Sequence, residues 1–149
     1  MQTFVPFPDL ELCALVLDRA RLGKQRIECK QLLNAIERAE TENIKKGWYH
    51  HLACQMWIGH EQFLCDYALE ICREWKRRGY VDNQIPFFES YKKRYPDKTP
   101  QPPSWWGDQR VHLSHRSRLI EKMPSHYSDI FISDEAGMGY HWPTRDVSQ

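Results

Sequence analysis

In the stretch LDRARLGKQRIECKQLL, Leu17 to Leu33, the basic side chains of Arg19, Arg21, Lys24, Arg26 and Lys30 crowd around one interior carboxylate, Glu28. Such an acid has two readings. On a solvated helix face Glu28 pairs with Lys24 at i, i+4, a contact worth about 0.3 kcal/mol. In a reaction site it stabilises positive charge developing on a substrate, while the surrounding cations hold phosphates. At about 100° per residue, Arg21, Gln25, Glu28 and Leu32 share a helix face beside the apolar stripe of Leu22, Cys29 and Leu33, with Arg26 on the opposite border of that stripe. Glu28 and Arg26 are therefore expected at the edge of the core, partly desolvated and sensitive to neighbouring charge. Spacing alone leaves both readings open.

Other residues with chemical potential are the histidines and the paired aromatics. His50, His51, His60, His112 and His115 do not fall into a metal-ligand spacing, so no metal is expected. His51 and His115 are better placed as phosphate or base contacts, and Arg116 and Arg118 could bracket a backbone phosphate or be ordinary solvated helix charges. Trp105 and Trp106, beside a proline-rich stretch, and Tyr140, His141 and Trp142 near the C-terminus offer stacking surfaces for an unstacked base. The bland alternative for the tryptophan pair is closure of one end of the core.

These residues need a scaffold. The 149-residue chain suits one domain, residues 1–149, and six tryptophans among 13% aromatics supply a packed core and exclude a disordered chain. The net charge of +1 excludes a protein that coats nucleic acid by bulk electrostatics and leaves only a locally basic face. No apolar run approaches the roughly 20 residues of a membrane span, and the start MQTFVPFPDLE has no signal-peptide pattern, so a cytoplasmic location is expected. The five cysteines lack a CxxC pair and read as reduced core thiols.

Asp9 caps a first helix to about Asp18, and a second runs from about Arg21 to Glu40. From His51 to Gly79, the recurrence of Ala53, Trp57, His60, Leu64, Ala68, Ile71 and Trp75 predicts one long amphipathic helix with a basic last turn, ended by Gly79. IPFFESYKKRYP suggests a short helix, PDKTPQPPSWWGD an irregular loop, and Ser104 the cap of a last helix reaching about Lys122. The tail GMGYHWPTRD reads as irregular. With no alternating strand pattern, the fold class is all-α: a compact bundle of about three main helices with irregular aromatic loops and tail.

The blocks LDRARLGKQRIE, MWIGHEQFLCDYALEICREWKRRGY and SRLIEKMPSHY, in that order, resemble the pyrimidine-dimer DNA glycosylase family, the dimer-specific phage endonuclease type and its bacterial relatives. That resemblance implies a small all-α repair enzyme that excises one base of an ultraviolet photodimer and nicks the sugar at the resulting abasic site. It implies that Glu28 matches the essential glutamate, that Arg21 holds the basic position seven residues earlier, and that Arg118 and Lys122 match two basic residues that meet DNA. Lys24 and Arg26 would join them on phosphates. In the family arginines flank the glutamate, whereas Ile27 precedes Glu28 here, which leaves the lesion open.

The resemblance also implies catalysis by the chain's own α-amine. Such an amine, with a pKa near 7.7 to 8.0, is about a tenth neutral at pH 7, unlike lysine, and attacks the sugar carbon C1′ without a cofactor. Because Gln2 is too large to favour removal of the initiator residue, Met1 would supply the amine, with Glu28 as its partner; Phe4, Val5 and Phe7 could pin the segment against fraying. The expected partner is double-stranded DNA carrying a damaged or modified pyrimidine, met by a monomer with no membrane contact. Two other readings stand beside this one: a fold relative acting on another modified base or nucleotide, and a noncatalytic nucleic-acid-binding module.

Overall fold

Asp9, Asp18 and Asp108 each start a helix by accepting a hydrogen bond from a backbone amide two or three residues on, the side-chain capping that unpaired first-turn amides require. A computed structural model of the chain describes residues 2–96, 98–99 and 101–143. Met1 and the end of the tail, residues 144–149, lie outside them. The described residues form helices α1 Leu10–Val16, α2 Arg19–Thr41, α3 Leu52–Gln55, α4 Glu61–Arg77, α5 Ile85–Arg94, α6 Gln109–Lys122 and α7 Pro124–Tyr127, with a short 3-10 turn at Gly47–His50 before α3. No strand occurs among them, as the pattern requires of an all-α fold.

The core forms where α4 packs against α1, α2 and α5. The stripe Leu22, Cys29, Leu32, Leu33 and Ile36 of α2 is fully buried against it. The two helices approach closely at Gly23, where a Cβ would stand 2.8 Å from the Trp75 ring, so only glycine fits there without displacing the indole. All five cysteines are free and buried. Burial pushes the thiols of Cys13, Cys54, Cys65 and Cys72 up to about 12, which leaves them inert at neutral pH.

Two expectations are corrected. The segment from His51 to Gly79 is not one helix: α3 ends at Gln55 and α4 begins at Glu61. Gly59 between them has φ +89°, a left-handed conformation that breaks the helical path and costs glycine little. The stripe itself is buried from Ala53 to Ile71, with Trp75 half-buried at its end, and the break drives Trp57 wholly into the core. The last long helix is capped by Asp108 rather than Ser104, because residues 104–107 form a turn and Gly107 has φ +95°.

Candidate active site

Glu28 sits on α2 one turn after Lys24 and one after Gln25, and burial of the adjoining stripe draws it inward, to 5% exposure. Gln2–Pro6 crosses this face as an extended segment that belongs to no helix, so all its backbone groups need outside partners. Side chains from three helices and the α3–α4 turn supply them. The Gln25 amide nitrogen donates to the Gln2 carbonyl at 2.8 Å, and its oxygen accepts from the Phe4 amide at 3.1 Å. The Tyr67 hydroxyl donates to the Phe4 carbonyl at 2.7 Å, the Trp57 indole to the Thr3 hydroxyl at 2.7 Å, and the Arg116 guanidinium to the Pro6 carbonyl at 2.8 Å.

His112 and His115, on α6, grip Val5 from both sides of its peptide. His115 Nδ1 accepts from the Val5 amide at 2.9 Å, and His112 Nδ1 donates to the Val5 carbonyl at 2.7 Å while its Nε2 accepts from Gly107. Those roles require neutral rings. Burial supplies the cause, holding His115 down to about 3 and lowering His112 as well. The clamp brings the backbone nitrogen of Gln2 to 3.4 Å from Glu28 Oε2.

That meeting point forms the floor of an open cavity of about 380 Å³. Its walls carry Arg21, Lys24, Arg118 and Lys122, with Tyr140 at one side. Lys24 reaches Glu28 at 3.7 Å from a largely solvent-exposed position. Arg21 is tied to Asp18 at 3.2 Å, and Arg118 to Glu121 at 3.0 Å with its guanidinium over the Tyr140 ring. Asp18 is held below the usual carboxylate range: burial opposes ionisation, but bonds from Tyr127 and Arg21 outweigh it. Burial, together with the charges of Arg118 and Arg21, holds the Lys122 ammonium below its ordinary value. A wall in which cations crowd one another favours an arriving anion, because each phosphate relieves the repulsion.

The structure thus collects Arg21, Lys24, Glu28, Arg118 and Lys122 at one place and disperses the rest. Arg26 lies on the other border of α2, donating to the buried Asp82 at 2.7 Å with its guanidinium over Trp75, so it anchors the loop after α4 and faces away from the cavity. His115 is fully buried and Arg116 is paired with Asp134 at 2.8 Å; both support the N-terminal segment and neither is free to bracket a phosphate. Trp105 is buried with its indole donating to the Met56 carbonyl, and Trp106 packs edge-on against Phe63 and His112, so the pair closes the core. His51 stands nearer the site: its Nδ1 accepts from the Ala53 amide, Trp48 and Trp142 flank its ring, and burial lowers its pKa while the Glu28 charge opposes. Met1 lies outside the described residues. Among those residues no group of three or more His, Cys, Asp and Glu side chains converges as a metal site.

Sequence reasoning did not single out Gln25, Tyr67, Trp57 and His112 as site-forming residues. Their only signal was helical phase, which put Gln25 on the Glu28 face; the others hold the site through backbone groups of a segment more than 50 residues away, and no local pattern encodes that.

No curated protein and no solved structure matches the chain. The family model described as pyrimidine dimer DNA glycosylase does, over residues 1–85, the span that contains the extended segment, Arg21, Lys24, Gln25, Glu28 and the whole of α4. With Glu28, Arg21 and Lys24 in that matched half of the sequence, the chain belongs to the pyrimidine dimer DNA glycosylase family.

Proposed function

We propose that this protein is a DNA glycosylase with abasic-site lyase activity, working through the α-amine of Met1 and the carboxylate of Glu28. One observation carries the reading: the Gln2 backbone nitrogen meets Glu28 on the floor of a cavity walled by four cations. The α-amine of the chain is one residue away from that Gln2 nitrogen, which ties an amine at this end of the chain to the neighbourhood of the carboxylate.

In this scheme the neutral amine attacks C1′ of the damaged nucleotide, the C1′–N bond breaks, and the base leaves with its bonding pair and a proton. Glu28 stabilises the positive charge that develops on the sugar and on the resulting iminium. Removal of a proton from C2′, assisted by the same carboxylate, expels the 3′ phosphate, and water then releases the sugar from the amine. Arg21, Lys24, Arg118 and Lys122 hold the phosphates on either side of the lesion.

Borohydride trapping tests the scheme. Duplexes carrying a thymine dimer, an abasic site or intact bases are incubated with protein and reductant. A covalent adduct with the first two and not the third is expected, and peptide mass analysis should place it on residue 1. Trapping on abasic DNA with no action on the dimer points to another modified base as the substrate. Binding without any adduct removes the catalytic reading in favour of a noncatalytic module. An intact mass showing loss of Met1 and cyclisation of Gln2 would leave no free amine and end the proposal.

A further inference from the structure

The Gln25 side chain touches both halves of the site, the N-terminal segment and Glu28. Its amide nitrogen donates to the Gln2 carbonyl at 2.8 Å and to Glu28 Oε2 at 3.1 Å. Its oxygen accepts from the Phe4 amide at 3.1 Å and lies 3.0 Å from the Tyr67 hydroxyl, whose one proton goes to the Phe4 carbonyl. Both amide hydrogens and the oxygen are engaged, so the orientation of the group is set by three bonded partners at once. At 1% exposure, no water competes for them.

Resting on the amine-and-glutamate reading above, we infer that Gln25 is the positioning residue of the reaction: it binds the leading segment and the Glu28 carboxylate to a common nitrogen and so sets the distance between nucleophile and acid. Burial alone does not require this chemistry. A leucine or methionine of similar size would fill the volume between α2 and α4, and the Phe4 amide and Gln2 carbonyl could be satisfied by two separate groups. Using one amide for both makes any displacement of the segment a displacement of Glu28 as well. Misplacement by about 1 Å in such a pair costs on the order of a hundredfold in rate.

Two variants separate positioning from packing. Gln25→Glu is isosteric but replaces the donating nitrogen with an acceptor, facing the Gln2 carbonyl and the Glu28 carboxylate with a like charge. A proton shared between the two acids then titrates higher than either alone. Gln25→Asn keeps the amide and shortens its reach by one methylene, and serves if the charged variant does not fold. Single-turnover cleavage of an abasic duplex and of a dimer duplex is measured for each, across pH, alongside the Kd for the uncleaved duplex. Expected are a fall in rate of about a hundredfold in both variants with Kd held within about twofold, and in Gln25→Glu an acid limb of the rate profile moved up by about one pH unit. A purely structural role would lower the melting temperature and leave the limb where it was.

A folded variant that cleaves within about threefold of wild type, with an unmoved limb, overturns the inference while wild-type trapping still stands. Wild-type protein that gives no adduct on abasic DNA overturns the amine reading and this inference together.

Discussion

At the scale of single residues, two acidic partners of α2 cations sit in opposite environments. Glu28 pairs weakly with the exposed Lys24 and faces a cavity; Asp82 pairs with Arg26 out of reach of solvent. Glu28→Gln removes the charge that the proposed reaction uses and keeps the volume and the bond from Gln25. Borohydride trapping should fall at least about a hundredfold with duplex affinity nearly unchanged, and a comparable loss of folding stability instead would show a structural acid. Arg26→Ala should do the reverse. Asp82 is held below the usual carboxylate range against its own burial by backbone amides of Ile85 and Gln84 and by Arg26, so removing the guanidinium leaves a buried charge short of a partner. Urea unfolding should report a loss of about 3 kcal/mol while DNA binding stays put; weakened binding in a stable Arg26→Ala protein would return that residue to the interface.

At the scale of elements, the N-terminal segment depends on α6 as well as on α2. The grip of His115 on the Val5 amide exists only for the neutral ring, whose pKa in the folded chain is down to about 3, against about 6.5 when unfolded. Between those values the unfolded chain holds a proton that the folded chain refuses. Stability is therefore complete above about pH 6.5 and declines as pH falls toward 3, with a slope approaching 1.4 kcal/mol per pH unit for this one group at about the middle of the window. His112, lowered by burial too, adds to the same decline. Thermal melts from pH 7 to pH 4 should show it, and His115→Asn, which keeps an acceptor for Val5, should flatten the curve. An unchanged slope in that variant would assign the acid sensitivity to other groups.

At the scale of the whole molecule, a net charge of +1 coexists with a cavity walled by four cations and floored by one acid. Several other cations are spent in ion pairs along α4, α5 and the proline-rich loop, where Arg77 and Arg78 meet Glu74, Arg94 meets Glu37 and Lys98 meets Glu40. DNA binding should therefore be local and modest in its salt dependence. If Arg21, Lys24, Arg118 and Lys122 each displace a counterion, log Kd against log salt should have a slope near 3.6, about 0.9 per phosphate. The double variant Arg118→Ala, Lys122→Ala should reduce it by about 2. Anisotropy titrations across sodium chloride give both numbers, and a slope untouched by the double variant would move the interface elsewhere.

The amino-acid sequence by itself determined the all-α class, the amphipathic faces of α2 and α4 and the placement of Glu28 beside Arg21 and Lys24, because a helical period turns spacing directly into a shared face. It also singled out Arg118 and Lys122 through resemblance to known sequences. The tertiary structure alone decided which other cations join them: Arg26 and Arg116 are as basic as Arg118, but their partners Asp82 and Asp134 are 56 and 18 residues distant in the chain and no local pattern announces them. It decided the break at Gly59, since a glycine inside a helical stripe is compatible with either path until Trp57 finds Thr3. The burial of Gln2–Val5 had the same origin, because an extended segment has no period of its own and takes its partners from whichever helices close over it.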